Sequence, residues 1–241
     1  MEINAMFRDA TLSPLDFKEM LAKEARVVAA LSEKEPSMSG SNWRLKGNTA
    51  EEAKLYPAFD ENGQPSAAAL AVLAEKARRK KAGSTFAAIW NEGASEDGGA
   101  AMACHVSDAK IVPDRVSLSI DEPSCFRTTD DMVDIVKSIV DAFDPLVVEA
   151  SPKGYFERQV FDDKPGVGWM LYLPKVITAQ QVPEAHALIP VPESGKRQTG
   201  TIIVSVADAV FSVDNPEHVE VANRVEIRLV DQDLLPAYSE F

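Results

Sequence analysis

The segment Pro145–Pro174, PLVVEASPKGYFERQVFDDKPGVGWMLYLP, switches between strand-forming runs and an acidic, turn-rich middle. Leu146–Glu149 and Trp169–Leu173 are rich in the branched and aromatic side chains that pack well on a pleated sheet. Strands are expected near 146–150, 155–160 and 167–173. The middle holds Tyr155, Glu157, Asp162, Asp163 and Gly166. Strands this short, joined by turns, belong to antiparallel pairing.

Working outward, helices alternate with strands. Phe17, Met20, Leu21, Val27, Val28 and Leu31 form one helical stripe, with Ser13-Pro14 as its start signal. Glu24 falls within that stripe and is expected to reach its edge and pair with a cation. Thr49-Ala50-Glu51-Glu52 is a capping box. An alanine-rich helix from Ser66 ends in Arg78-Arg79-Lys80-Lys81, cations that complement its C-terminal dipole. Glu2–Phe7, Asn42–Leu45, Thr85–Trp90, Ala100–Val106, Arg115–Ile120 and Thr201–Val206 read as strands. Thr129 caps a helix with Met132, Val133, Val136, Ile139, Val140 and Phe143 on one face. The stretch with Pro174, Pro183, Pro190 and Pro192 reads as loop. Asn215-Pro216-Glu217 starts a last helix, with His218, Ala222, Val225 and Leu229 on one face. The fold class is therefore α+β: a mixed, largely antiparallel sheet with packed helices. A single domain over 1–241 is expected, with a looser N-terminal third over 1–83.

Charge narrows the function. The net charge is −13, and residues 101–241 carry 23 acidic against 12 basic side chains. A nucleic-acid surface needs the opposite sign. An acidic face suits a basic protein partner and would speed their encounter. No apolar run approaches a membrane span. MEINAMFRDATLSP lacks the basic end and apolar core of a signal peptide. Two cysteines, Cys104 and Cys125, fit a reducing compartment. A cytoplasmic location is expected.

Signatures of catalysis are weak. Asp114 followed by Asp162-Asp163-Lys164 imitates the acid, acid-x-lysine pattern of a metal-dependent nuclease. However, Lys164 precedes Pro165-Gly166, which puts the triplet in a turn. On an alternating strand Cys104 and His105 point to opposite faces, so they make no nucleophile–base pair. His186 and His218 have no ligand-spaced companion, and no phosphate-binding glycine loop is present. No cofactor or metal is expected. Among the tryptophans, Trp90 is the best surface candidate because Asn91-Glu92-Gly93 follows it.

Val148-Glu149-Ala150-Ser151, Tyr155, Gly168–Leu173, Thr201–Val204, Asn215-Pro216-Glu217-His218 and Leu234-Leu235-Pro236 together resemble the immunity protein 52 family of bacterial polymorphic-toxin systems. The likeness covers roughly residues 115–236 and is expected to extend over most of the chain. It implies a cytoplasmic antitoxin that neutralises, without catalysis, a nuclease toxin of restriction-endonuclease fold delivered by contact-dependent or type VI secretion machinery. From charge and turn placement, the candidate toxin contacts are Tyr155, Glu157, Asp162 and Asp163, with Trp90 and Glu92 as a second patch. A metal-dependent hydrolase using Asp114, Asp162 and Lys164, or an acidic effector chaperone or adaptor, are the competing readings. Edge strands would permit a homodimer.

Overall fold

A computed structural model describes the chain except residues 48, 81–82, 96–97, 110, 122–127 and 193–196. The described residues form five α-helices and nine strands, an α+β fold with antiparallel pairing. Packing divides them into two compact units. The N-terminal unit comprises Met6–Cys125 and Asp141–Asp144; the C-terminal unit comprises Met1–Ala5, Phe126–Val140 and Pro145–Phe241.

The chain opens on β1 (Glu2–Phe7), as its alternation predicts. In the N-terminal unit, α1 (Phe17–Lys34), β2 (Trp43–Leu45), α2 (Ala50–Ala53) and α3 (Ala67–Lys80) precede a meander of β3 (Ser84–Ser95), β4 (Gly98–Ser107) and β5 (Asp114–Ile120). The sheet order is β2-β3-β4-β5, antiparallel throughout. Period-two alternation buries Ala87, Ile89, Met102, Cys104, Val106, Val116 and Leu118. That face receives α1, which packs on β3 and β4. On the other face His105 stacks against Phe86 at 4.5 Å between ring centroids, and Cys104 points away from it into the core. Cys125 lies outside the described residues.

Two expectations for α1 need correction. Its first turn is at Phe17, not Pro14. Asp16 reaches back to accept the Ser13 N–H at 2.8 Å, and the Pro14 carbonyl accepts the Thr85 hydroxyl. Residues 13–16 are thereby held in a turn before the helix. Glu24 does not reach the stripe edge. Met20 and Leu21 lie one turn before it and Val27 and Val28 one turn after, so it occupies the stripe's centre. The side chain is fully buried, and neither carboxyl oxygen has a hydrogen-bond partner among the described residues.

In the C-terminal unit, α4 (Thr129–Phe143) leads through β6 (Pro145–Ser151), β7 (Met170–Leu173), β8 (Ala187–Val191) and β9 (Gly200–Val204) to α5 (Pro216–Asp231). The last residues of α4 go with the other unit. The cap of α4 is Thr128, one residue earlier than expected. Its hydroxyl accepts the Asp131 N–H at 3.2 Å, while the Asp131 carboxylate accepts the Thr128 N–H at 3.1 Å. Thr129 instead donates its hydroxyl to the Ala207 carbonyl. The sheet order here is β1-β6-β7-β9-β8. β7 and β9 are buried along their whole length. The proline-rich stretch holds a strand where loop is expected. β8 lies at the end of the order, so Pro190 can occupy it without breaking an interior ladder. The Asn215 side chain caps α5 by accepting the Glu217 N–H, as its start signal predicts.

Burial holds the Glu24 carboxyl well above the usual carboxylate range, offset only in part by the nearby Cys104 backbone. The folded state therefore keeps a proton that the unfolded chain releases above about pH 4.5. Its contribution to stability is full below that pH and falls as pH rises toward the folded-state pKa. Glu24→Gln should thus gain stability relative to wild type between about pH 5 and pH 8. Thermal melts across that range check it; a difference that does not vary with pH would show that Glu24 holds no extra proton.

Candidate functional site

The acidic middle of Pro145–Pro174 is built over a buried carboxylate. Glu226 lies four residues after Ala222 and three before Leu229, on the buried face of α5. Its Oε1 accepts the Tyr155 hydroxyl at 2.6 Å and the Val167 N–H at 2.9 Å. Its Oε2 accepts the Val160 N–H at 2.7 Å. Glu226 is 1% exposed, so these three donors replace the water that a carboxylate otherwise needs. Burial, reinforced by the Glu226 charge, pushes the Tyr155 hydroxyl well above its ordinary range and keeps it a donor. Its ring meets Phe211 edge-on at 5.5 Å.

This arrangement explains why the expected strand at 155–160 does not form. Gly154, at φ +86°, turns the chain into a single 3₁₀ turn over Tyr155–Glu157. The Val160 amide, which a strand would offer to a neighbour, is taken by Glu226. A second carboxylate secures the far side. Glu149 Oε1 accepts the Gly166 N–H at 2.9 Å and the Tyr238 hydroxyl at 3.0 Å. The Asp163 carbonyl accepts the Tyr238 N–H, and the Lys164 ammonium donates to the Leu235 carbonyl at 3.2 Å. Gly168, at φ +50°, lets the chain re-enter β7 where any side chain would collide with Ser151. The outer surface of the turn displays Phe156, Glu157, Arg158, Val160, Asp162 and Asp163, with Phe156 72% exposed.

The sequence-derived candidates therefore fall in different places. Glu157, Asp162 and Asp163 are exposed on one pinned turn. Tyr155 is 2% exposed and holds the turn from beneath instead of offering a surface. Trp90, in the N-terminal unit, is half-buried, and its indole donates to the Ala53 carbonyl at 3.1 Å. The Glu92 side chain lies outside what is described. Asp114 is 1% exposed and accepts the Ser107 N–H at 2.9 Å, which closes the turn before β5. With the Lys164 ammonium on a carbonyl as well, two of the three supposed catalytic groups are already engaged, and Asp162 is exposed. Among the described residues no group of three or more His, Cys, Asp or Glu side chains could hold a metal. Sequence reasoning missed Glu226 and the organising role of Glu149. A carboxylate on the apolar face of a helix was the available signal for the first.

The model of immunity protein 52 matches residues 17–238. The chain belongs to the immunity protein 52 family. The match takes in the residues 115–236 that carry the likeness and, as expected, most of the chain. Membership implies a protein whose role is to bind a toxin. No curated protein matches the chain at a significant level. Among solved structures, the Pseudomonas aeruginosa T6SS protein PA0821 aligns over 94% of this chain and 75% of its own, at 10% identity and a TM-score of 0.53. At that identity the likeness is one of fold. No helix among the described residues of this immunity protein is long and apolar enough to cross a membrane.

Glu226→Ala would leave three donors without their acceptor, and should cost about 3 kcal/mol in chemical denaturation. Tyr155→Phe removes one donor and leaves the two amides in place, so it should cost only about 1.5 kcal/mol. Equal losses would show that the amides contribute nothing and the turn is not tied at Glu226.

Proposed function

We propose that this immunity protein neutralises a cognate nuclease toxin in the cytoplasm by tight stoichiometric binding, without catalysis. The pinned turn around Glu157, Asp162 and Asp163 forms part of the surface that meets the toxin, and Trp90 with Glu92 forms a second patch. The observation that carries this reading is the construction of the turn. Its outward carboxylates stand on a backbone tied down by Glu226 and Glu149. A surface ordered before binding loses little freedom on association. A nuclease must present a basic cleft to its phosphate substrate, and a chain of net charge −13 is drawn toward such a cleft. The fold shared with a T6SS protein fits delivery of the toxin by a type VI secretion system.

Co-expression with the adjacent toxin gene should rescue growth, and the two purified proteins should form a complex at low salt. A complex in which the nuclease stays active would instead mark a chaperone. Charge reversal of Asp162 and Asp163 to Lys together should slow association on the order of tenfold at low salt. The difference should shrink as ionic strength rises. Association unchanged by the double reversal would move the interface off this turn.

A further inference from the structure

The N-terminal unit holds a buried acid that its fold leaves unsupported. Glu24 sits at the centre of the α1 stripe, and neither carboxyl oxygen has a hydrogen-bond partner among the described residues. Facing it from β4 is Cys104, whose backbone lies near the carboxyl and whose thiol is buried in the same core. Among the described residues, the rest of the surroundings supply no counter-charge. Beside Cys104 the inward side chains of β3 and β4 are Ala87, Ile89, Met102 and Val106. The helix α3 buries Ala69 and Leu73, and its Glu75 is engaged by Arg78 and Arg79 and its Lys76 by Glu52. The 3₁₀ turns Pro36–Met38 and Gly40–Asn42 hold no titratable residue. Lys23, the neighbour of Glu24 on α1, reaches Asp9 at 3.5 Å and the Ala142 carbonyl at 3.0 Å. Asp114, at the start of β5, is spent on the Ser107 N–H.

A carboxylate in such a place is strongly disfavoured, so either the proton stays or the carboxyl reaches water. The way α1 is attached sets the route to water. The β3–β4 and β4–β5 ladders close through backbone hydrogen bonds in which α1 takes no part. The helix is seated on that sheet by its apolar stripe, with Glu24 in the middle. Its flanks are fixed separately. Before it, the Thr85 hydroxyl donates to the Pro14 carbonyl. After it, the Asn91 amide donates to the Ser37 carbonyl and the Trp43 indole to the Met38 carbonyl, both at 3.0 Å. A helix seated by side chains between two anchored flanks can lift as a local unit, without unpairing the strands beneath.

We infer that loss of the Glu24 proton unseats α1 from β3 and β4 and uncovers the Cys104 thiol, while the sheet stays paired. The seated form carries the proton. The lifted form, with Glu24 in water, releases it above about pH 4.5. The two forms therefore differ by one proton, and the lifted fraction grows about tenfold per pH unit until the seated carboxyl itself ionises. The response belongs to one helix and is distinct from the pH dependence of global stability. It also brings a second group, a thiol, within reach of solvent.

Labelling of the full chain with N-ethylmaleimide, read at Cys104 by mass spectrometry so that Cys125 is scored apart, tests this directly. The thiolate is the reacting form, and a freed thiol ionises near pH 8.5, so thiol chemistry alone adds about tenfold in rate per pH unit. Wild type should gain about a hundredfold per pH unit upward from about pH 5, the product of the two effects. Glu24→Gln and Glu24→Met have no proton to lose at this position and should gain only about tenfold. One folded variant of the two is enough for the comparison. Urea below the unfolding transition should speed wild-type labelling far less than it promotes global unfolding, because lifting one helix exposes less surface. Equal pH slopes in wild type and a folded variant would overturn the inference. A urea dependence equal to that of global unfolding would overturn it as well, because Cys104 would then be reached only by unfolding the whole chain.

Discussion

A carboxylate buried on the core face of a helix must find donors, and the donors available to Glu226 lie in the segment between β6 and β7. Tyr155, Val160 and Val167 all point at it. That requirement dictates the path of residues 155–168 more strongly than strand propensity does. It bends what reads as a strand into a short 3₁₀ turn, and carries the hydrophobic Val167 inward. Glu157, Asp162 and Asp163 are left facing out. The same helix that turns Glu226 inward leaves Ile227, the next residue, exposed.

Glu24 shows the contrast. Both glutamates lie at the centre of a helix's apolar face and both are buried. Glu226 has three donors, so its charge is supported locally. Glu24 has no such set of donors among the described residues, only a partial offset from the nearby Cys104 backbone, so burial favours its protonated form. Identical side chains in similar helical positions therefore play different roles: one organises a surface segment, and the other makes the stability of α1's packing sensitive to pH. The difference comes from what each helix packs against. α1 lies on β3 and β4, where backbone amides are committed to the sheet, whereas α5 lies against a turn with amides to spare.

Much of the fold was legible in the sequence because its signals are local. The alternation of β1, the stripe of α1, the meander of β3 to β5 and the Asn215-Pro216 start of α5 each follow from neighbouring residues. The errors arise where a distant partner decides the outcome. Asp16 and Thr85 hold the turn before α1; β9 recruits a proline-containing edge strand that reads as loop; Glu226 converts a strand to a turn. The candidate site was legible by the same measure. Exposed carboxylates at 157, 162 and 163 could be picked from composition and turn chemistry. Tyr155 could not be assigned to the core without knowing that Glu226 lies beneath it.

The proposed toxin-facing surface is the turn that Glu226 and Glu149 tie down. Amide hydrogen exchange of the immunity protein, free and in complex with its toxin, tests this most directly. Slowed exchange on binding, concentrated in residues 155–164 and along α5, is the expected result. Protection confined to β3–β5, with residues 155–164 and α5 exchanging as in the free protein, would contradict it.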